Sequence, residues 1–170
     1  LNRSVLEFIN SKKISTKLIK QITSHEIGLY LIKNKNNGEK KFFYWRDNSA
    51  AKNYFNKIDF VSLFKNLKNF DYIYFSGITL SIIDPSKISN FVDLLKLLKN
   101  KKVKIIFDFN IRSNRLTKKN LNNFLHSILN FVDICFVSGE DLKFWKNDNS
   151  LRNFEKLINK YKIDHGIFRK

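Results

Sequence analysis

From Asp71 onward the apolar residues fall into two alternating patterns. Short runs rich in β-branched and aromatic residues, DYIYFSG, VKIIFDFN, VDICFVSG and DHGIFRK, have the length and composition of strands. Between them apolar residues recur three and four positions apart, as in Ile88, Phe91, Val92, Leu95 and Leu98, and in Leu121, Phe124, Leu125, Ile128, Leu129 and Val132. That spacing gives a helix one apolar face. Strand and helix in regular alternation predict an α/β fold, a parallel sheet flanked by helices, with strands near 71–76, 103–108, 133–138 and 165–169.

Local signals support the helix starts. Asp84 followed by Pro85 is a cap with proline at the first helical position, and Ser150 precedes another periodic stretch. Ser138 and Asp141 have the spacing of a capping box, with Asp in place of the usual Glu. The first part of the chain differs in kind. After a short helix near Val5 to Asn10, the segment IGLYLIKNKNNGEKKFFYWR holds two β-rich runs joined by an Asn-rich turn containing Gly38. It reads as a hairpin over 28–46, a flap or lid preceding the sheet.

The composition belongs to a globular protein: 43% hydrophobic and 28% charged residues in 170. No apolar run approaches the roughly 20 residues that span a bilayer, and no export signal stands at the N-terminus, so a cytoplasmic protein without a membrane partner is expected. Cys135, inside an apolar run, is expected to be buried and inert. The net charge of +17 raises nucleic acid as a partner. The excess is nearly all Lys, spread over every predicted element alongside heavy use of Asn, Ile and Phe, which share A/T-rich codons; a compositional bias accounts for it without a nucleic-acid ligand.

Five scattered glycines form neither a GxGxxG nor a Walker loop, and His25, His126 and His165 lack metal-binding spacing, so they are expected on the surface or in loops. Polar residues gather instead where the strands end: Ser76 after the first, Asp108, Asn110 and Arg112 after the second, Ser138 and Glu140 after the third. The crevice at the carboxyl ends of the strands is where open α/β sheets bind ligands. Polar loops and a helix cap explain the same residues without a ligand. Arginine narrows the choice, since only six of 32 basic residues are Arg. In a Lys-rich chain, Arg46 and Arg112 fit positions where a planar fork must grip a carboxylate or phosphate.

These segments, GLYLI at 28–32, FFYWRDNSAAK at 42–52, FDYIYFSGITLSI at 70–82 and IFDFNIR at 106–112, resemble the PfkB family of ribokinase-like carbohydrate kinases, in particular its 2-keto-3-deoxygluconate kinase subgroup. The resemblance runs from the first helix to the final residue. It implies one ribokinase-like domain over 1–170, a lid hairpin at 28–46 and an α/β core at 71–170. It also implies ATP and Mg2+ as cofactors and phosphorylation of a primary hydroxyl of the sugar acid. The residues matching the family's substrate positions are Tyr30, Tyr44, Arg46 and Arg112. Ser138, Glu140, Asp141 and Arg169 match its nucleotide and phosphate side. A homo-oligomer fits the resemblance.

The sequence also departs from the family pattern. The glycine-rich substrate motif and the G-A-G-D segment that supplies the catalytic base are absent, and SNRLT after Arg112 lacks the usual proline and tryptophan. Leu1 in place of Met, and a last strand with no element after it, give the expectation of a chain incomplete at both ends and inactive alone. Three other readings stay open. They are a non-catalytic remnant or part of a split gene, a relative acting on another sugar, which the Arg46 and Arg112 pair argues against, and a nucleic-acid-binding protein.

Overall fold

A computed structural model describes residues 3–111 and 117–169. The chain divides into two compact units, residues 1–57 and 58–170.

The first unit opens with α1 (Arg3–Ser11) and holds the hairpin of β1 (Leu29–Asn34) and β2 (Lys40–Trp45). The two strands pair antiparallel from Leu29 opposite Trp45 to Asn34 opposite Lys40. Gly38 turns the chain at φ 81°, a conformation that costs glycine little because it has no Cβ. The hairpin is a separate two-stranded sheet, as its sequence predicts. The unit ends on α2 (Ala50–Lys57), whose single buried side chain is Phe55.

The second unit begins with α3 (Phe60–Leu67), capped by Asp59, whose carboxylate accepts from the amides of Val61 and Ser62. α2 and α3 are eight residues each, about two turns, too short for an apolar face to repeat as it does in α5 and α6. Then follow β3 (Tyr72–Ser76), the short α4 (Gly77–Leu80) and a 3-10 turn at Pro85–Lys87 capped by Asp84. The order continues with α5 (Ile88–Asn100), β4 (Lys104–Asp108), α6 (Lys118–Ile128), β5 (Ile134–Ser138), α7 (Gly139–Lys146), α8 (Leu151–Tyr161) and β6 (His165–Arg169). The four strands form one parallel sheet in the order β3-β4-β5-β6.

The inner strands are apolar because helices cover the sheet. Ile105 and Phe107 of β4 and Cys135 and Val137 of β5 are fully buried, against Leu95 and Leu98 of α5 and Leu121, Leu125 and Ile128 of α6. An aromatic chain runs through this core from Phe91 to Phe75, Phe107, Phe109 and Trp145, with successive ring centroids 5.1 to 5.6 Å apart. Much of the chain's Phe excess therefore fills space. Burial pushes the Cys135 thiol well above its ordinary range, so it is unreactive as expected. No helix among the described residues is long and apolar enough to cross a membrane.

Polar stitching sets the strand register where the strands enter the sheet. Asp133, just before β5, is 4% exposed. Its Oδ2 accepts the Ile105 amide at 2.8 Å, and its Oδ1 accepts Lys99 Nζ at 2.6 Å and Lys104 Nζ at 2.9 Å. Its backbone amide donates to the Ile105 carbonyl and its carbonyl accepts the His165 amide. Lys104 also reaches Asp164 at 2.9 Å. One carboxylate thus ties β4, β5 and β6 together. Burial by itself would raise the Asp133 carboxyl; the bonds from Ile105, Lys99 and Lys104 outweigh it and hold the group below the ordinary value of 3.8.

Two glycines permit close approaches. A Cβ on Gly77 would meet the Phe109 carbonyl oxygen at 2.0 Å, and one on Gly166 would meet Phe154 and Ile158 of α8 at 2.6 and 2.7 Å. The histidine expectation needs one correction. His126 is half-buried, with Nδ1 bonded to the Tyr161 hydroxyl and its ring against Trp145, because α7 and α8 cover that flank of α6.

Asp133→Asn removes the charge while keeping the shape, and it should cost about 2 kcal/mol at neutral pH, the scale of hydrogen bonds to a charged group. A carboxyl lowered in the folded state stabilises above its unfolded value, and that contribution is lost as pH falls through the folded value. The gap between wild type and Asp133→Asn in urea denaturation should therefore narrow from pH 7 to pH 3. A gap of equal size at both pH values would show that the charge contributes nothing.

Candidate active site

All four parallel strands end on the same edge of the sheet. Ser76 pairs with Asp108, Asp108 lies opposite Phe136, and Ser138 pairs with Arg169. The predicted rim exists and carries Ser76, Asp108, Asn110, Ser138, Glu140 and Arg169. Arg112 lies outside the described residues.

Two buried or half-buried carboxylates build the rim. Asp141 Oδ2 accepts the Ser138 amide at 3.1 Å and the Ser138 hydroxyl at 2.6 Å, while the Asp141 amide donates to Ser138 Oγ at 3.1 Å. This is the capping box read from the sequence, closing the N-terminus of α7. Its other oxygen, Oδ1, accepts the Ile111 amide at 2.8 Å, which fastens the loop after β4 to the helix after β5. Asp108 accepts Arg169 at 3.0 Å on Oδ1 and the Tyr74 hydroxyl at 3.1 Å on Oδ2. Burial, then the charge of Asp108, push the Tyr74 phenol upward. Asn110 turns the chain at φ 30°, in the left-handed region that Asn tolerates better than most residues.

These elements enclose a cleft of about 420 Å³ lined by Asn110, Ile111, Ser138, Gly139, Glu140, Asp141 and Arg169. All four residues assigned to the nucleotide side therefore meet in one concavity. Their roles differ. Both oxygens of Asp141 are engaged by protein donors, so Asp141 shapes the cleft; Glu140 is exposed and makes no hydrogen bond or ion pair among the described residues. No described group of three or more His, Cys, Asp or Glu could cage a metal. Mg2+ fits a different arrangement, one or two carboxylates plus phosphate oxygens and water. Glu140 supplies such a carboxylate.

The sequence places Asp108 at the rim, at the end of β4, but its partners enter only in three dimensions. The Arg169–Asp108 and Tyr74–Asp108 bonds span 61 and 34 positions in the chain, so local spacing carries no signal for them. Strand alternation does place Tyr72, Tyr74 and Ser76 on one side of β3.

The substrate-side residues of the first unit share one face of the hairpin. Tyr30 and Tyr44 are directly opposite in the antiparallel register, and Arg46 follows two positions after Tyr44. The Arg46 guanidinium lies over the Tyr44 ring, 4.2 Å from its centroid. Gly28 permits this approach, because a Cβ there would come within 2.9 Å of Arg46 Cβ. Arg46 Nε is buried and has no hydrogen-bond partner among the described residues. A buried guanidinium nitrogen without an acceptor is costly and calls for an anion. Tyr30 and Tyr44 are 61% and 43% exposed, so their faces and hydroxyls are open to a ligand.

Known proteins share this sequence and fold. The pfkB family carbohydrate kinase pattern matches residues 1–168. The 2-dehydro-3-deoxygluconokinase of Escherichia coli K12 is 31% identical over 142 residues, covering 82% of this chain and 46% of the relative. The enzyme of that name from Haemophilus influenzae is 31% identical over 159 residues, covering 92% of this chain and 51% of the relative. The chain thus spans about half the length of these relatives. Among solved structures, a PfkB family carbohydrate kinase from Listeria grayi superposes with TM-score 0.77 at 18% identity, over 98% of this chain and 51% of that one. A 2-dehydro-3-deoxygluconokinase from Thermotoga maritima superposes with TM-score 0.68 at 21% identity, over 82% of this chain and 44% of that one. The likeness to the solved structures shows a shared fold, and the sequence match across nearly the whole chain shows common membership: this chain belongs to the pfkB family of carbohydrate kinases.

Proposed function

We propose that the chain is part of an ATP-dependent kinase that phosphorylates a primary hydroxyl of 2-keto-3-deoxygluconate. The observation that carries this reading is Arg46, a guanidinium set over Tyr44 with its Nε buried and unpartnered. A 2-keto sugar acid offers a carboxylate to that fork and hydroxyls to Tyr30 and Tyr44. A neutral sugar such as fructose offers Arg46 only hydroxyl oxygens and no carboxylate to match its fork. The names of the relatives at 31% identity support the same substrate class. Arg112 is assigned to the same carboxylate by its place in the DFNIR segment.

The nucleotide side belongs to the cleft at the strand ends. Arg169 and the N-terminus of α7 present positive charge to phosphates, and Glu140 would hold Mg2+ against them. Magnesium neutralises charge on the transferred phosphoryl group; the chain's own residues bind and orient the reactants. Proton removal from the sugar hydroxyl needs a carboxylate free to accept it. Asp108 and Asp141 are committed to protein donors, and Glu140 would be taken up by the metal, so these residues do not supply the base. The chain on its own is a binding scaffold without turnover. Nucleic acid has no place in this reading, since the positive charge is spread over every element.

Two binding measurements test the two sides separately. Replacing Arg46 or Arg112 by Lys keeps the charge but loses the fork, so calorimetry should show the keto acid bound roughly tenfold or more weakly, with ATP affinity unchanged. Equal loss for both ligands, or for neither, contradicts the substrate assignment. Glu140→Gln should leave metal-free ATP binding intact while reducing the gain in affinity that Mg2+ gives. If the Mg2+ gain survives the substitution, Glu140 is not the metal carboxylate.

A further inference from the structure

A second concavity lies between α6, α7 and α8 and shares no lining residue with the cleft at the strand ends. It is about 270 Å³, lined by His126, Leu142, Trp145, Lys146, Asn153, Lys156, Leu157, Lys160 and Tyr161. Its floor is apolar and rigid. Leu142 is 1% exposed, Leu157 6%, Trp145 8% and Tyr161 8%. Trp145 Nε1 donates to Asn122 Oδ1 at 3.0 Å, and the Tyr161 hydroxyl bonds to His126 Nδ1, so the polar atoms of the floor are satisfied from within the protein.

The walls carry three ammonium groups and no carboxylate. Lys146 Nζ stands 4.1 Å from the centroid of the Trp145 ring, and Lys160 Nζ stands 5.2 Å from that of Tyr161. Such stacking holds flexible lysines in place before any ligand arrives. Among the described residues none of Lys146, Lys156 and Lys160 forms an ion pair, whereas Lys52, Lys99 and Lys104 each find a carboxylate. Two acids lie nearby, one in the connection between α7 and α8 and one on α8. Asp148 is bonded to the Ser150 amide and the Asn153 side chain, and Glu155 is exposed on α8 outside the lining. The result is uncompensated positive charge around a small apolar-floored space. Its repulsion registers on its members: burial, then Lys160, push the Lys146 ammonium down, and burial, then Lys146 and Lys160, push the His126 imidazole down.

We propose that this cavity binds a small, multiply charged oxyanion, with the size and charge density of pyrophosphate or a tricarboxylate. Such a ligand would satisfy three ammonium groups at once. The volume sits below the usual range for drug-sized ligands, roughly 300 to 1,000 Å³, which excludes a nucleotide. The site is separate from the cleft and the hairpin; because the cleft is proposed to take phosphates, the lysine variants and the His126 readout distinguish binding here from binding there.

Calorimetry of the chain with inorganic pyrophosphate and with citrate, at fixed ionic strength, reads the site directly. Saturable binding at one site is expected for at least one probe, and the triple substitution K146Q/K156Q/K160Q should weaken it roughly tenfold or more. The triple substitution K65Q/K68Q/K102Q removes the same charge from exposed lysines elsewhere and should leave the affinity within about twofold. The single substitution Lys156→Glu, at a lysine that stacks on no ring, should also abolish binding without disturbing the floor. In NMR titrations the His126 imidazole should move to higher pKa when the probe is bound in wild type, and stay in place in the Lys146, Lys156 and Lys160 triple variant. Equal losses in the two triple variants, an unmoved His126, or no saturable binding of either probe would overturn the proposal.

Discussion

The Asp133 carboxylate fixes the arrangement on which the rest of the second unit depends. It accepts the Ile105 amide of β4 and both Lys99 and Lys104, while its own backbone bonds Ile105 and His165 of the neighbouring strands. Parallel strands of equal length that enter the sheet in register also leave it in register. Ser138 is five residues beyond Asp133, and it emerges opposite Arg169. The polar anchor lies at one end of the sheet and the candidate chemistry at the other. Between them is an apolar layer of Ile105, Phe107, Cys135 and Val137, all fully buried, which transmits the register without offering alternatives.

The exit edge repeats the device. Asp141 fastens the loop after β4 to the start of α7, and Asp108 fastens β4 to the end of β6 through Arg169. Carboxylates placed near a phosphate site would repel it; here their charge is absorbed by backbone amides and a guanidinium. Glu140 stays exposed at the cleft, bonded to none of the described scaffold groups. The hairpin of the first unit follows the opposite logic. Arg46 is held by an aromatic face and a glycine approach, and its Nε keeps no internal acceptor.

The sequence carried the four strands, the hairpin and the caps at Asp84, Ser138 and Ser150, because each is a local pattern: a period of two or 3.6, or a cap spacing. It did not carry α2 and α3, which at eight residues each are too short for a repeated apolar face. The spacing of Ser138 and Asp141 revealed the cap but not its second bond to Ile111, which spans 30 positions. Nothing local marks Asp133, because its side-chain partners lie 28 to 34 positions away. The sequence puts His126 on the surface or in a loop, yet its partner Tyr161 lies on α8, 35 positions on. Tyr30, Tyr44 and Arg46 could be put on one face by alternation; the stacking of Arg46 on Tyr44 needed the structure.

The central claim is that the cleft at the strand ends receives the phosphates of a nucleotide. A crystal structure of the chain soaked with a non-hydrolysable ATP analogue and Mg2+ tests it most directly. The account predicts phosphate density between Arg169 and the amides that open α7, with the metal between that density and Glu140. Phosphate density elsewhere on the chain, with this cleft holding only water, would contradict it.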